Sequence, residues 1–280
     1  MGSQLIAYLS SNIDSLTVAV RFGTVSLGFY NRAFQLAIRP VNQIRAPMTA
    51  VAIPVLARIQ DARERYNEYV LVGQLALCYP ICLALGGVAV LSGPIVQIAL
   101  GSQWDRTAPL LQLLAICAIF ETLAFVGYWV YVSRGLGKSL FRFSMVSAAI
   151  QITCILVGSQ WGVVGVAFGY MLGPAITWPL SIGWLSRVTE IPTRGLYLGA
   201  SRVLGLVIAC AAVTEIVINV LPHLSALPTL LIGFVAYIAT IGVALAVPFY
   251  RADAATLVRV ARMVRGTRRL APDPVAPEKA

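Results

Sequence analysis

Two arginines inside a stretch that should otherwise be apolar are the first candidates for chemistry. Residues 30–57, YNRAFQLAIRPVNQIRAPMTAVAIPVLA, read as one membrane-spanning helix with Arg39 and Arg45 well inside it. An arginine facing lipid near mid-bilayer costs roughly 2.5–3.5 kcal/mol on insertion scales, so such residues face a wet or protein-lined interior. With 3.6 residues per turn, Arg32, Gln35, Arg39 and Asn42 share one face with Arg45 at its edge, and Ala33, Leu36, Ala37 and Ile44 occupy the opposite face. A polar, cationic stripe of this kind suits a cavity for an anion. The alternative is that the arginines snorkel or pair with carboxylates elsewhere.

Two carboxylates could be those partners. Asp14 sits among Ser10, Ser11, Asn12, Ser15 and Thr17, which makes the first helix polar, and Glu121 lies mid-helix in 107–133. A buried carboxylate can pair with arginine or carry a proton, so both are candidates for ion coupling. For Asp14 the arginine partners to weigh are Arg39, Arg45 and Arg21. Glu215 is a weaker candidate in the outer half of 195–221, and Asp105 reads as solvated in a loop.

Other chemistry finds little support. His223 is the only histidine, and Cys78, Cys82, Cys117, Cys154 and Cys210 all lie in apolar segments, so they read as small buried hydrophobes. No metal centre or cofactor is expected. The segment RGLGK (134–138) lacks the G-x-x-x-x-G-K-[ST] spacing of a phosphate loop and reads as a turn between spans. No nucleic-acid module accompanies the net charge of +10, and no nucleic-acid partner is expected.

The elements that must position these residues are membrane helices. The chain of 280 residues is 59% hydrophobic and 11% charged, with mean hydropathy +0.82, whereas soluble domains carry about 25% charged residues. Eight segments reach spanning length, roughly 4–22, 30–57, 68–100, 107–133, 138–158, 161–186, 195–221 and 226–250. The expected fold is an all-α polytopic transmembrane bundle. Arg58, Arg63, Arg65, Arg134, Lys138, Arg142, Arg187, Arg194 and Arg202 gather at one set of loops, which by the positive-inside rule places both termini in the cytoplasm. Trp104 and Trp161, inside two copies of GSQW, suit the opposite interface. Pro40, Pro47 and Pro54 beside the two arginines suggest a functional kink in 30–57. The tail 252–269 reads as a basic amphipathic helix lying on anionic inner-leaflet lipid, followed by a Pro-rich disordered end.

Four stretches resemble the polysaccharide transporter family of lipid-linked oligosaccharide flippases, the Wzx-type branch of the MOP exporter superfamily. They are SNIDSLTVAVRFGTVSLGFYNRAFQL (11–36), IPVLARIQDARERYNEYV (53–70), GSQWDRTAPLLQLLAI (101–116) and GVVGVAFGY (162–170). The resemblance covers about residues 4–250 but only the C-terminal half of the family's two-lobed architecture. It implies a six-helix C-lobe at 1–186, two further helices at 187–250 and a cytoplasmic tail at 251–280. It also implies a half-length or truncated form whose missing N-lobe would come from a separate chain or a second copy.

The substrate implied is a polyprenyl-diphosphate oligosaccharide in the bacterial inner membrane, and the protein would be a transporter rather than an enzyme. Arg39 and Arg45 would contact the diphosphate, with Arg32 and Arg21 guiding from the outer side. Asn12, Asp14, Gln35 and Asn42 would bind sugar hydroxyls or tune the arginines. Competing readings are another small-molecule exporter of the same superfamily, a non-transporting partner in polysaccharide biosynthesis, and a membrane polymerase or ligase. The last would be expected to carry a large outer loop, and the outer loops here are short.

Overall fold

A computed structural model describes residues 12–220 and 225–268 of the chain. Those residues form helices and short turns, and no strand occurs among them. In chain order the helices are α1 (Ile13–Arg58), α2 (Arg63–Val90), α3 (Ser92–Ala99), α4 (Ala108–Ser133), α5 (Gly137–Gly158), α6 (Gly162–Val188), α7 (Thr193–Val220), α8 (Ala226–Ala244) and α9 (Pro248–Arg268). Short 3₁₀ segments, Ser102–Thr107 and Ser159–Trp161, carry the Ser-Gln-Trp of the two GSQW copies between α3 and α4 and between α5 and α6. Among the described residues, five stretches are long and apolar enough to cross a membrane, one of which, Gly137–Val188, contains α5 and α6 in succession. With the two arms of α1, about eight spans result, and the chain is a multi-pass membrane protein.

The first two spans differ from the sequence expectation. No loop occupies 23–29: helical backbone runs from Ile13 to Arg58, and the single non-helical residue inside it is Gly23, at φ 80° and ψ 175°. That conformation is essentially restricted to glycine. The break there reverses the chain. The Tyr30 hydroxyl donates to Asp14 Oδ2 at 2.8 Å across a separation of 16 residues, which a straight helix would spread over about 24 Å. Residues 13–22 and 24–58 are therefore antiparallel arms of one hairpin. The glycine, not one of the three prolines, makes the sharp break, since helical dihedrals persist through Pro40, Pro47 and Pro54. Residues 4–11 of the expected first span, and His223, lie outside the described residues.

Two other boundaries move. The expected span 68–100 divides at Leu91 into α2 and α3, and the expected span 226–250 ends at Ala244, before α9 begins at Pro248.

The core gathers around α4, which packs extensively against α6, α2 and the second arm of α1, while α7 joins α2 to α8. Leu111, Leu114, Ala118, Leu123, Val126 and Trp129 of α4 are all buried, so this helix is apolar around most of its circumference and sits inside the bundle. The α5–α6 contact is built differently. A Cβ at Gly165 would lie 2.1 Å from the Gly158 carbonyl oxygen, and one at Gly169 would lie 2.2 Å from that of Cys154. Backbones can approach this closely only across small residues, the usual basis of helix association in lipid. This packing explains the glycine spacing of GVVGVAFGY.

Candidate functional site

The second arm of α1 has two different faces. Ala33, Ala37, Ile38, Val41 and Arg45 are buried, spaced largely at i, i+4 along the side that meets the bundle. Arg32, Arg39 and Asn42 are exposed on the other side, and Gln35 is half-buried, accepting a hydrogen bond from Arg32 Nη1 at 3.2 Å. Arg45 is therefore not at the edge of the Arg39 face. It continues the Ala37–Val41 row into the protein. Ile44, expected on the apolar face, is 49% exposed, and Leu36 is half-buried.

Arg45 is held from several directions. Its Nη1 donates to Glu121 Oε2 at 3.2 Å, and its Nη2 donates to Thr122 Oγ1 at 2.6 Å and to the Ala118 carbonyl at 3.0 Å. The Thr122 hydroxyl in turn donates to the same Ala118 carbonyl at 2.6 Å. The guanidinium carbon lies 5.1 Å from the centroid of the Phe125 ring, within cation–π range. One turn further along α1, Thr49 Oγ1 donates to the Arg45 carbonyl and accepts from Trp129 Nε1 at 3.0 Å. The partner is thus a carboxylate on α4. Sequence reasoning named Arg45 and Glu121 separately; the i, i+4 row shared with Ala37 and Val41 was the signal that Arg45 turns inward.

Beside this pair lies a cavity of about 570 Å³ between α4, α5 and α6. Arg45 and Glu121 form one wall, and Tyr128, Tyr131, Ser144, Ser147, Gln151, Thr177 and Ser181 supply aromatic faces and hydroxyl or amide groups. Gln151 donates to the Tyr170 carbonyl at 3.2 Å, and Phe34 packs edge-on against Tyr170. Tyr131 keeps its buried hydroxyl without a protein partner. Such a lining, one ion pair with aromatic rings and many hydroxyls, can hold a polar, poly-hydroxylated group.

The remaining predicted residues fall elsewhere. Asp14 is buried, and its carboxylate meets Tyr30 instead of Arg39, Arg45 or Arg21. A phenol serves because Tyr30 lies opposite Asp14 on the returning arm, whereas the arginines lie further along or on other faces. Asn12 is half-buried at the start of α1. Arg21 is exposed and donates to the Ser159 hydroxyl. Arg32 lies 5.6 Å from the Trp104 ring, which also packs edge-on against Phe29. The two GSQW turns thus both receive an arginine from α1 near its Gly23 reversal.

One buried acid escaped the sequence reading. Asp253 of α9 is 5% exposed, accepts from the Tyr79 hydroxyl at 2.7 Å and pairs with Arg202 at 3.2 Å. The first turns of α9 are therefore docked on α2 and α7, where a wholly peripheral tail was expected. A lone carboxylate in an otherwise basic amphipathic helix was the available clue.

Against known structures, the fold is similar to that of the lipid II flippase MurJ in an inward closed conformation, which superposes with a TM-score of 0.59 at 17% identity, over 85% of this chain and 52% of that one. Residues 1–109 match the family model described as polysaccharide biosynthesis protein. The lipopolysaccharide biosynthesis protein WzxC of Escherichia coli (strain K12) is 29% identical over 181 residues, which are 63% of this chain and 36% of WzxC. The teichuronic acid biosynthesis protein TuaB of Bacillus subtilis (strain 168) is 31% identical over 126 residues, 44% of this chain and 26% of TuaB. The succinoglycan biosynthesis transport protein ExoT of Rhizobium meliloti (strain 1021) is 23% identical, over 57% of this chain and 32% of ExoT. The chain resembles the Wzx-type polysaccharide transporters of the MOP exporter superfamily, and it spans well under half the length of the curated relatives it matches.

Proposed function

We propose that this chain forms one lobe of a transporter that moves a polyprenyl-diphosphate-linked oligosaccharide across the bacterial inner membrane. The observation that carries this reading is the exposed Arg32–Arg39–Asn42 face of α1. A cationic helix face cannot rest against lipid tails at tolerable cost, so it borders water, an anion or a second lobe. A diphosphate is the anion whose oxygens suit arginine forks. In this reading Arg39 and Arg32 contact the diphosphate, with Arg21 further toward the Gly23 end. Gln35, Asn42 and Asn12 serve sugar hydroxyls. Arg45 acts through Glu121, and the partly exposed Glu121 is the better candidate for ion coupling than Asp14, whose carboxylate braces the hairpin.

Residues 1–186 are then the six-helix lobe and 187–250 two additional helices. Residues 251–280 form a cytoplasmic tail that meets anionic lipid, and both termini lie in the cytoplasm. Transport by rocking needs a second bundle, supplied by an N-lobe on the same or a separate polypeptide or by another copy. Proteoliposomes carrying this chain, alone and with an N-lobe chain, test the reading with a fluorescent polyprenyl-diphosphate oligosaccharide. Leaflet exchange above that of empty vesicles in either preparation, abolished by Arg39→Gln, is the expected result. Exchange no faster than in empty vesicles in both preparations would overturn it.

A further inference from the structure

A second cavity, of about 600 Å³, lies where the first turns of α5 face the last turns of α6, lined by Lys138, Ser139 and Arg142 on one side and Trp184, Arg187 and Val188 on the other. Lys138 and Arg142 stand one turn apart, as do Trp184 and Arg187, so two helices direct three cations toward one space. Among the described residues none of the three forms an ion pair. From Thr122 through Thr189 the sequence contains no aspartate or glutamate. Glu190, just beyond α6, is engaged by Arg63 at 2.8 Å. The start of α5 adds positive potential of its own, since Leu136 caps it without a side-chain oxygen.

From this juxtaposition we infer that the α5–α6 cavity binds the phosphate of an anionic membrane-lipid headgroup. Three like charges around one space repel each other unless an anion or water occupies it, and a phosphate presents several oxygens to arginine and lysine at once. The flanking side chains favour a lipid over a free ion. Phe141 and Met145, a turn above Lys138 and Arg142, are 67% and 60% exposed, and Leu180, one turn above Trp184, is 47% exposed. They provide an apolar track for an acyl chain. Trp184, whose indole donates to Ser139 at 3.1 Å, has the amphipathic character that favours headgroup depth. The site is separate from the α1 cationic face and does not depend on the transport reading.

Native mass spectrometry of the purified full chain, exchanged between micelles containing phosphatidylcholine and phosphatidylglycerol, tests the assignment. Retention of phosphatidylglycerol in preference to phosphatidylcholine is expected. Arg142→Gln and Arg187→Gln should each weaken that retention roughly fivefold, while Arg65→Gln and Arg106→Gln, which replace exposed cations outside the cavity and the tail, should leave it near the wild-type value. A charge-preserving Arg142→Lys should retain most of it. Headgroup photo-crosslinking on the unaltered protein provides a readout independent of any variant's folding, with labels expected on α5 and α6 around the cavity. No preference for the anionic lipid, unchanged retention in both glutamine variants, or labels confined to other helices would each overturn the proposal. Displacement of the lipid by millimolar inorganic phosphate would also do so, by assigning the cavity to a free anion.

Discussion

Arg45 and Glu121, 76 residues apart in the chain, meet at 3.2 Å between the second arm of α1 and the middle of α4. This contact ties the helix bearing the cationic face to the most buried helix of the bundle. The arginine is 6% exposed and the carboxylate 28%, so the pair sits at the boundary between core and cavity. Removing one partner of a fully buried pair costs roughly 3–5 kcal/mol, and the exposure of Glu121 reduces that here. Arg45→Met and Glu121→Gln should each lower the thermal midpoint in detergent, with Arg45→Met the more damaging because it also abandons Thr122 and the Ala118 carbonyl. The double variant should recover part of the loss. Strictly additive losses in a double-mutant cycle would show that the pair is not coupled.

Arg39 should behave in the opposite manner. It is exposed and contributes to no described core contact, so Arg39→Gln should change stability by no more than about 0.5 kcal/mol. Insertion and melting should match the unaltered protein, while transport of the lipid-linked glycan falls. A variant that melts early and transports normally would reverse the assignments of Arg39 and Arg45.

The hairpin in α1 rests on Gly23 and on the Asp14–Tyr30 bond. A Cβ at Gly23 meets nothing within 4 Å, so any cost of Gly23→Ala arises from the backbone conformation alone, about 1–3 kcal/mol. Tyr30→Phe leaves a buried carboxylate without its donor and should cost a similar about 1–3 kcal/mol. A cysteine pair placed on the two arms, probed by crosslinking, should report weaker pairing in both variants. Undiminished crosslinking would show that the reversal is fixed by other contacts.

The α5–α6 seam offers a steric test. Gly169→Ala forces a methyl group against the Cys154 carbonyl, and such overpacking costs typically about 1–3 kcal/mol. Gly183→Ala, on the same helix with open space around it, should be neutral. Equal melting of the two variants would mean that the seam relaxes without penalty.

Asp253 anchors α9. Asp253→Leu should release the start of that helix from Tyr79 and Arg202, and limited trypsin digestion should then cut faster at the exposed Arg251 and Arg259. Unchanged digestion would show that Tyr250, which bonds the Arg202 carbonyl at 3.2 Å, holds the helix unaided.

Hydropathy made the spans legible because lipid forces each to satisfy its backbone internally, and this constraint writes itself into long apolar runs. The polar face of α1 was legible for the same reason, since arginine in such a run is costly. Partner choice was not. Whether Asp14 meets an arginine or a tyrosine depends on where a hairpin reverses, and one glycine at φ 80° moved that reversal from an expected loop to a single residue. The inward turn of Arg45 depended on which face of α1 meets α4, which helical spacing alone places only to within part of a turn. Asp253 remained hidden because a charged residue in a basic tail normally reads as solvated, and only the packing of α9 against α2 and α7 gives it partners.

The central claim, that the exposed α1 face receives a diphosphate, is tested most directly by titrating the purified chain with a polyprenyl diphosphate and with the uncharged polyprenol of the same length. The account predicts saturable binding of the diphosphate, much weaker binding of the polyprenol, and a loss of roughly tenfold in diphosphate affinity for Arg39→Gln, the scale of one charge-assisted contact. Equal binding of the two lipids, or unchanged diphosphate affinity in Arg39→Gln, would contradict it.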